Sequence, residues 1–205
     1  MAEKTRHLLT FDGASRSNPG HAGAASMLLY LTSFDRGYNE DGEASGEICE
    51  HDDCVWGSSY YIGKKITNNQ SEYLALIHGL EACTPNYPHK DKEIEHLTIS
   101  GDSELVIKQL KGEYQCKHSK LIPLYEKAKR LIEKVKQTGA TVELVWIPRE
   151  ENVRCDHLAN MVIDRELRLG DWAPGGEQDI AEQEDEEEME RAFEQLRLYK
   201  ETLRT

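Results

Sequence analysis

The chain lacks any apolar run long enough to span a bilayer, and its N-terminus lacks the apolar stretch of a secretory signal. Those absences argue against a membrane-spanning or secreted protein. Cysteine is sparse and scattered: Cys49, Cys54, Cys83, Cys116 and Cys155 make an odd set with no framework spacing. Reduced thiols inside a cell are therefore expected, in the cytoplasm or the nucleus or nucleoid. Overall basic charge is also missing, since the net charge is −13. The acidity is segregated, however. Residues 171–205 hold 12 acidic and 4 basic side chains, residues 32–55 hold 8 and 1, and the rest is close to neutral. A phosphate-bearing partner is thus not excluded.

Four carboxylates lie in settings that would present them to a cation. Asp12 ends the run His7-Leu8-Leu9-Thr10-Phe11 and opens a turn through Asn18-Pro19-Gly20. Glu72 sits where an amphipathic helix begins, after Thr67-Asn68-Asn69-Gln70-Ser71. Asp102 ends the strand Leu97–Gly101, and Asp156 lies one turn into a helix that follows the strand Val142–Ile147. Buried acids without partners are costly, so such a cluster calls for a cation. An all-oxygen ligand set favours hard ions such as Mg²⁺ or Mn²⁺.

Apolar runs at Leu8–Phe11, Ala24–Leu31 and Val55–Ile62 read as three strands, with Thr32–Cys54 an acidic insertion between the second and third. A helix capped by Asn68 or Asn69 follows and is broken at Thr84–Pro88. Next come strand Glu95–Gly101, a short helix Ser103–Tyr114, a basic helix Lys120–Thr138, strand Thr141–Ile147 and the helix bearing Asp156. This order indicates an α/β protein with a mixed sheet flanked by helices. The expected division is a domain over 1–170 with an acidic insertion at 32–55, a linker at 171–180 and an acidic helical tail at 181–205. Met189, Phe193, Leu196 and Leu203 would form one apolar stripe on that tail, which rests on the domain or is partly frayed in solution, or else binds a protein partner.

These motifs together resemble the type 1 ribonuclease H family. The matching segments are Phe11-Asp12-Gly13-Ala14 with Asn18-Pro19-Gly20, then Thr67–Tyr73, Ser100-Gly101-Asp102-Ser103 and Glu151–Asn160. They occur in the family's order and cover most of residues 5–168. The resemblance implies a ribonuclease H-like fold with a five-stranded mixed sheet. It also implies a monomeric endonuclease that hydrolyses the RNA strand of RNA–DNA hybrids with two Mg²⁺ ions, leaving 3′-hydroxyl and 5′-phosphate ends. Asp12, Glu72, Asp102 and Asp156 would be the catalytic and metal-binding residues. Gly13, Asn18, Lys65, Thr67, Asn69 and Gln70 would hold the substrate, amides and backbone groups reading the 2′-hydroxyls of the RNA strand.

The sequence departs from the family pattern in places. Many members carry a flexible histidine-bearing loop before the last carboxylate; here Pro148-Arg149-Glu150-Glu151-Asn152 is shorter and has no histidine, leaving Arg149 or Glu150 as substitutes. A phosphate-contacting asparagine expected before Leu121 is replaced near His118, and the separate hybrid-binding domain of some relatives is not expected among these residues. Cys49-Glu50-His51-Asp52-Asp53-Cys54 offers too few ligands for a tetrahedral zinc site and reads as an acidic loop. Trp56, Trp146 and Trp172 read as packing residues, with base stacking left open only for Trp172. The competing functions are a nuclease of the same fold acting on DNA junctions, and a catalytically idle hybrid-binding module.

Overall fold

A computed structural model describes residues 5–31, 53–84 and 94–170. The strands are β1 (Arg6–Arg16), β2 (Gly20–Leu31), β3 (Asp53–Ile66), β4 (His96–Gly101) and β5 (Thr141–Trp146). The helices are α1 (Asn68–Ala82), α2 (Glu104–Lys111), α3 (Ile122–Lys136) and α4 (Val153–Gly170), the last entered through a single 3₁₀ turn at Arg149–Glu151. Strand order is β3-β2-β1-β4-β5. The first three strands run antiparallel, whereas β4 pairs parallel with both β1 and β5. The mixed five-stranded sheet expected from the motif order is therefore present.

Two layers of side chains flank the sheet. On one face Leu9, Phe11, Leu28, Leu97 and Ile99 pack against α1, α2 and α3. On the other, Ala14 and Ala25 meet Cys155, Ala159 and Ile163 of α4. Alanines and Gly23 make that second contact close: a Cβ on Gly23 would lie 2.4 Å from the Ala159 carbonyl oxygen. α4 is thereby pressed onto β1 and β2, which sets where its first turn falls.

Several expectations need correction. β1 does not stop at Asp12; it stays paired with β2 as far as Arg16 opposite His21, so the turn shrinks to residues 17–19. β3 likewise begins at Asp53 and runs to Ile66, taking in the end of the expected insertion. Hydrogen-bonded pairing extended both strands beyond their apolar cores. α1 is not amphipathic: Gln70 through Leu80 are buried without interruption, because the helix has the sheet on one side and α2 and α3 on the other. Its cap is Thr67 rather than Asn68 or Asn69. The Thr67 side chain accepts from the Gln70 N–H while the Gln70 side chain accepts from the Thr67 N–H, a reciprocal capping box.

α2 ends at Lys111, where Gly112 adopts the left-handed conformation suited to a helix terminus. Cys54, Cys83, Cys116 and Cys155 are free thiols, as expected. No helix among the described residues is long and apolar enough to cross a membrane. The rest of the insertion, Cys49, Trp172, the linker and the tail lie outside the described residues.

Candidate active site

Register builds the centre of the site. The parallel pairing sets Thr10 beside Ser100, so two residues further on Asp12 and Asp102 fall side by side on one face of the sheet. Glu72 comes from the second turn of α1, which reaches β1 through a contact that only glycine permits. A Cβ on Gly13 would lie 2.2 Å from the Glu72 backbone nitrogen and 2.2 Å from the Ser71 carbonyl carbon. The Gly13 N–H donates to Glu72 Oε2 at 3.2 Å. Asp12, Glu72 and Asp102 each offer a carboxylate oxygen, and these atoms all lie within 4.8 Å of one another.

Asp156 stands apart from that group. It occupies the first turn of α4, with its side chain 28 % exposed and ion-paired to Arg149. The Asn160 amide donates to its Oδ1 at 3.2 Å. Its charge still reaches the centre and acts on Asp12.

The electrostatics are those of an unsatisfied cluster. Asp12 is 4 % exposed, and its carboxyl is pushed up to about 7, first by burial and then by the charges of Asp102 and Asp156. Arg149 and the Gly13 N–H pull the other way. Glu72 is raised well above the ordinary carboxylate range by burial, then by Asp12 and Asp102. Two buried acids that resist ionisation beside a third make an all-oxygen donor set. The chemistry of those donors fits Mg²⁺ or Mn²⁺.

The residues expected to hold substrate lie around the N-terminus of α1. Asn18 Oδ1 accepts from the Asn68 N–H at 3.1 Å, tying the β1–β2 turn to the helix start. Asn69 is exposed in the first turn, and Lys65 is exposed with a backbone φ of 57°. Thr67 and Gln70 are engaged with each other in the cap, and Gln70 is buried.

Two further residues bear on the Asp102 side of the site. Asn152 is 3 % exposed and donates from Nδ2 to the Phe11 carbonyl and to Asp102 Oδ1, both at 2.8 Å. An amide immediately ahead of the helix bearing Asp156 was the available signal. Trp146 is not a packing residue: it is 48 % exposed, and its indole N–H donates to the Asp102 carbonyl at 3.0 Å. Trp56, by contrast, is buried in the core as expected.

A sequence model of the reverse transcriptase-like family matches residues 33–162, taking in Glu72, Asp102 and Asp156 and beginning after Asp12. The chain belongs to that family, within its type 1 ribonuclease H branch. It is 33% identical over 154 residues to ribonuclease HI of Halobacterium salinarum, covering 75% of this chain and 62% of that protein. The solved N-terminal ribonuclease H domain of Rv2228c from Mycobacterium tuberculosis is 27% identical, with a TM-score of 0.60 over 82% of this chain and 99% of that one. LC11-RNase H1, solved in complex with an RNA/DNA hybrid, is 32% identical with a TM-score of 0.59 over 78% of this chain and 99% of that one. The chain spans 34% of the length of the full mycobacterial protein.

Proposed function

We propose that the protein is a metal-dependent endonuclease that hydrolyses the RNA strand of RNA–DNA hybrids, leaving 3′-hydroxyl and 5′-phosphate ends. The observation that carries this reading is the convergence of Asp12, Glu72 and Asp102 to within 4.8 Å, with two of the three buried. Likeness to a ribonuclease H solved on a hybrid supports the choice of substrate.

Two divalent cations held by these carboxylates would supply activation of the attacking water and stabilisation of the departing 3′ oxygen. Asp12, which feels the charges of both Asp102 and Asp156 and has a carboxylate oxygen within 4.8 Å of one from Glu72, would serve both ions. Glu72, held by the Gly13 N–H, would support one ion. Asp156 would support the other and exchange Arg149 for it. Arg149, with 70 % of its side chain exposed, is then free to meet a phosphate oxygen at the rim.

Substrate would approach across the start of α1. Asn18 and the exposed Asn69 present amides there, and such groups can both donate to and accept from a ribose 2′-hydroxyl. With Thr67 and Gln70 occupied in the cap, their contribution is to hold the helix start that displays Asn69 and the backbone of Gly13. Lys65 offers a cation to the DNA-strand phosphate. The acting species is a monomer, and the acidic tail is a candidate for contact with a protein partner.

One labelled hybrid incubated beside matched double-stranded DNA and double-stranded RNA, with and without Mg²⁺, tests the reading. Cleavage restricted to the hybrid and to Mg²⁺ is expected. Efficient cutting of DNA would favour a junction nuclease, and binding without cutting would favour an idle hybrid-binding module.

A further inference from the structure

We propose that Asn152 is a positioning residue of the carboxylate centre, setting the Asp102 carboxylate against Asp12 and thereby governing how tightly the centre holds a divalent cation. This rests on reading the carboxylates as a metal centre. The orientation of the amide is fixed by its partners. The Phe11 carbonyl can only accept, so the atom 2.8 Å from it must be the amide nitrogen. The second hydrogen of the same nitrogen then points to Asp102 Oδ1, also 2.8 Å away. Both hydrogens of Nδ2 are spent, and with 3 % of the residue exposed water cannot readily replace either partner.

The backbone of Asn152 is held as firmly as its side chain. Its N–H donates to the Arg149 carbonyl at 3.0 Å, closing the 3₁₀ turn, and its carbonyl accepts from the Asp156 N–H at 3.1 Å, opening α4. One residue therefore joins the β1 strand beside Asp12, the carboxylate of Asp102 and the helix turn that carries Asp156. Asp102 needs such a clamp. It lies one residue beyond the end of β4, past the strand pairing that restrains its neighbours, and its other anchor, the Trp146 indole, holds only its backbone carbonyl. The amide engages Oδ1 and leaves Oδ2 for a cation. Without it, the Asp102 side chain is free to rotate away from Asp12, whose charge it opposes.

Calorimetric titration of the metal-free full chain with Mn²⁺ alone, in wild type and Asn152→Ala, tests this. Loss of a partner that orients a metal ligand typically weakens affinity about 10–100-fold, and a shift in that range is expected. Turnover should recover at saturating Mn²⁺ while KM for the hybrid holds, because the residue acts on the ion and not on the substrate. Should Asn152→Ala fail to fold, Asn152→Ser carries the same reading, since its shorter side chain cannot reach both acceptors. A variant with a lower melting temperature but a Mn²⁺ affinity within about two-fold of wild type would make Asn152 purely structural and overturn the proposal. Wild-type protein that binds no Mn²⁺ would remove the metal centre itself, and the clamp with it.

Discussion

Asp12→Asn should make the metal-free protein more stable while abolishing its activity. Asp12 titrates near 7 in the folded chain against an ordinary value of 3.8, because it is buried beside Asp102 and Asp156. A raised carboxyl pKa means the folded state holds a proton that the unfolded state releases. The stability associated with that proton is present in full below pH 3.8 and is lost as pH rises to about 7. Ionised Asp12 therefore destabilises the metal-free fold by roughly 4 kcal/mol at pH 8, and by less than half of that at pH 5, where the folded carboxyl is still protonated.

Asparagine keeps the shape and carries no charge, so the variant escapes this cost. For a chain of this size its melting temperature in EDTA at pH 8 should exceed that of wild type by on the order of 10 °C, with a much smaller gap at pH 5. Excess Mg²⁺ should narrow the gap, since it stabilises the form that binds it. Melts at the two pH values, with EDTA or Mg²⁺, measure all of this. If the variant melts at or below wild type at pH 8 in EDTA, burial and neighbouring charge do not destabilise ionised Asp12.

Gly13→Ala should damage both stability and cleavage, because its Cβ must displace the α1 backbone at Ser71 and Glu72; a normal melt with normal turnover would refute that contact. Thr67→Ala should cost about 1 kcal/mol by removing one half of the capping box, and denaturant unfolding will read it. Arg149→Ala removes the partner of Asp156 and a cation that lowers the Asp12 pKa. The pH at which metal-free stability is lost should therefore move upward, visible in melts across pH 5–9. Deleting residues 174–205 removes much acidic charge, so hybrid affinity should rise at low salt and the gain should shrink as salt increases. Unchanged affinity with a lower melting temperature would make the tail a packing element instead.

The carboxylate settings were legible because each sits at the junction of a strong local pattern: apolar strand then acid for Asp12 and Asp102, helix start for Glu72 and Asp156. What the chain alone could not convey was how the elements close on one another. The apolar run stops at Phe11, yet β1 continues to Arg16, because pairing with β2 tolerates Ser15 and Arg16 where a core would not. Helical periodicity in α1 suggested one buried face. Burial on all sides follows from having neighbours both above and below, which no local window records.

Thr67 outcompeted the two asparagines as cap because Gln70, three residues on, completes a reciprocal pair. Asn152 and Trp146 act through partners 50 and 44 residues away, and their roles exist only once β4, β5 and α4 are brought together. The convergence of Asp12, Glu72 and Asp102 was expected from the family resemblance; the separate seat of Asp156, paired with Arg149, came only with the structure.

The most direct test of the account is a single end-labelled strand containing a short ribonucleotide block flanked by deoxyribonucleotides, annealed to complementary DNA. Wild-type protein in Mg²⁺ should cut only within the ribonucleotide block, leaving 3′-hydroxyl and 5′-phosphate ends, and should stop when the ribose hydroxyls are methylated or EDTA is added. Cuts in the flanking DNA, or cleavage that persists in EDTA or in the Asp12→Asn protein, would contradict it.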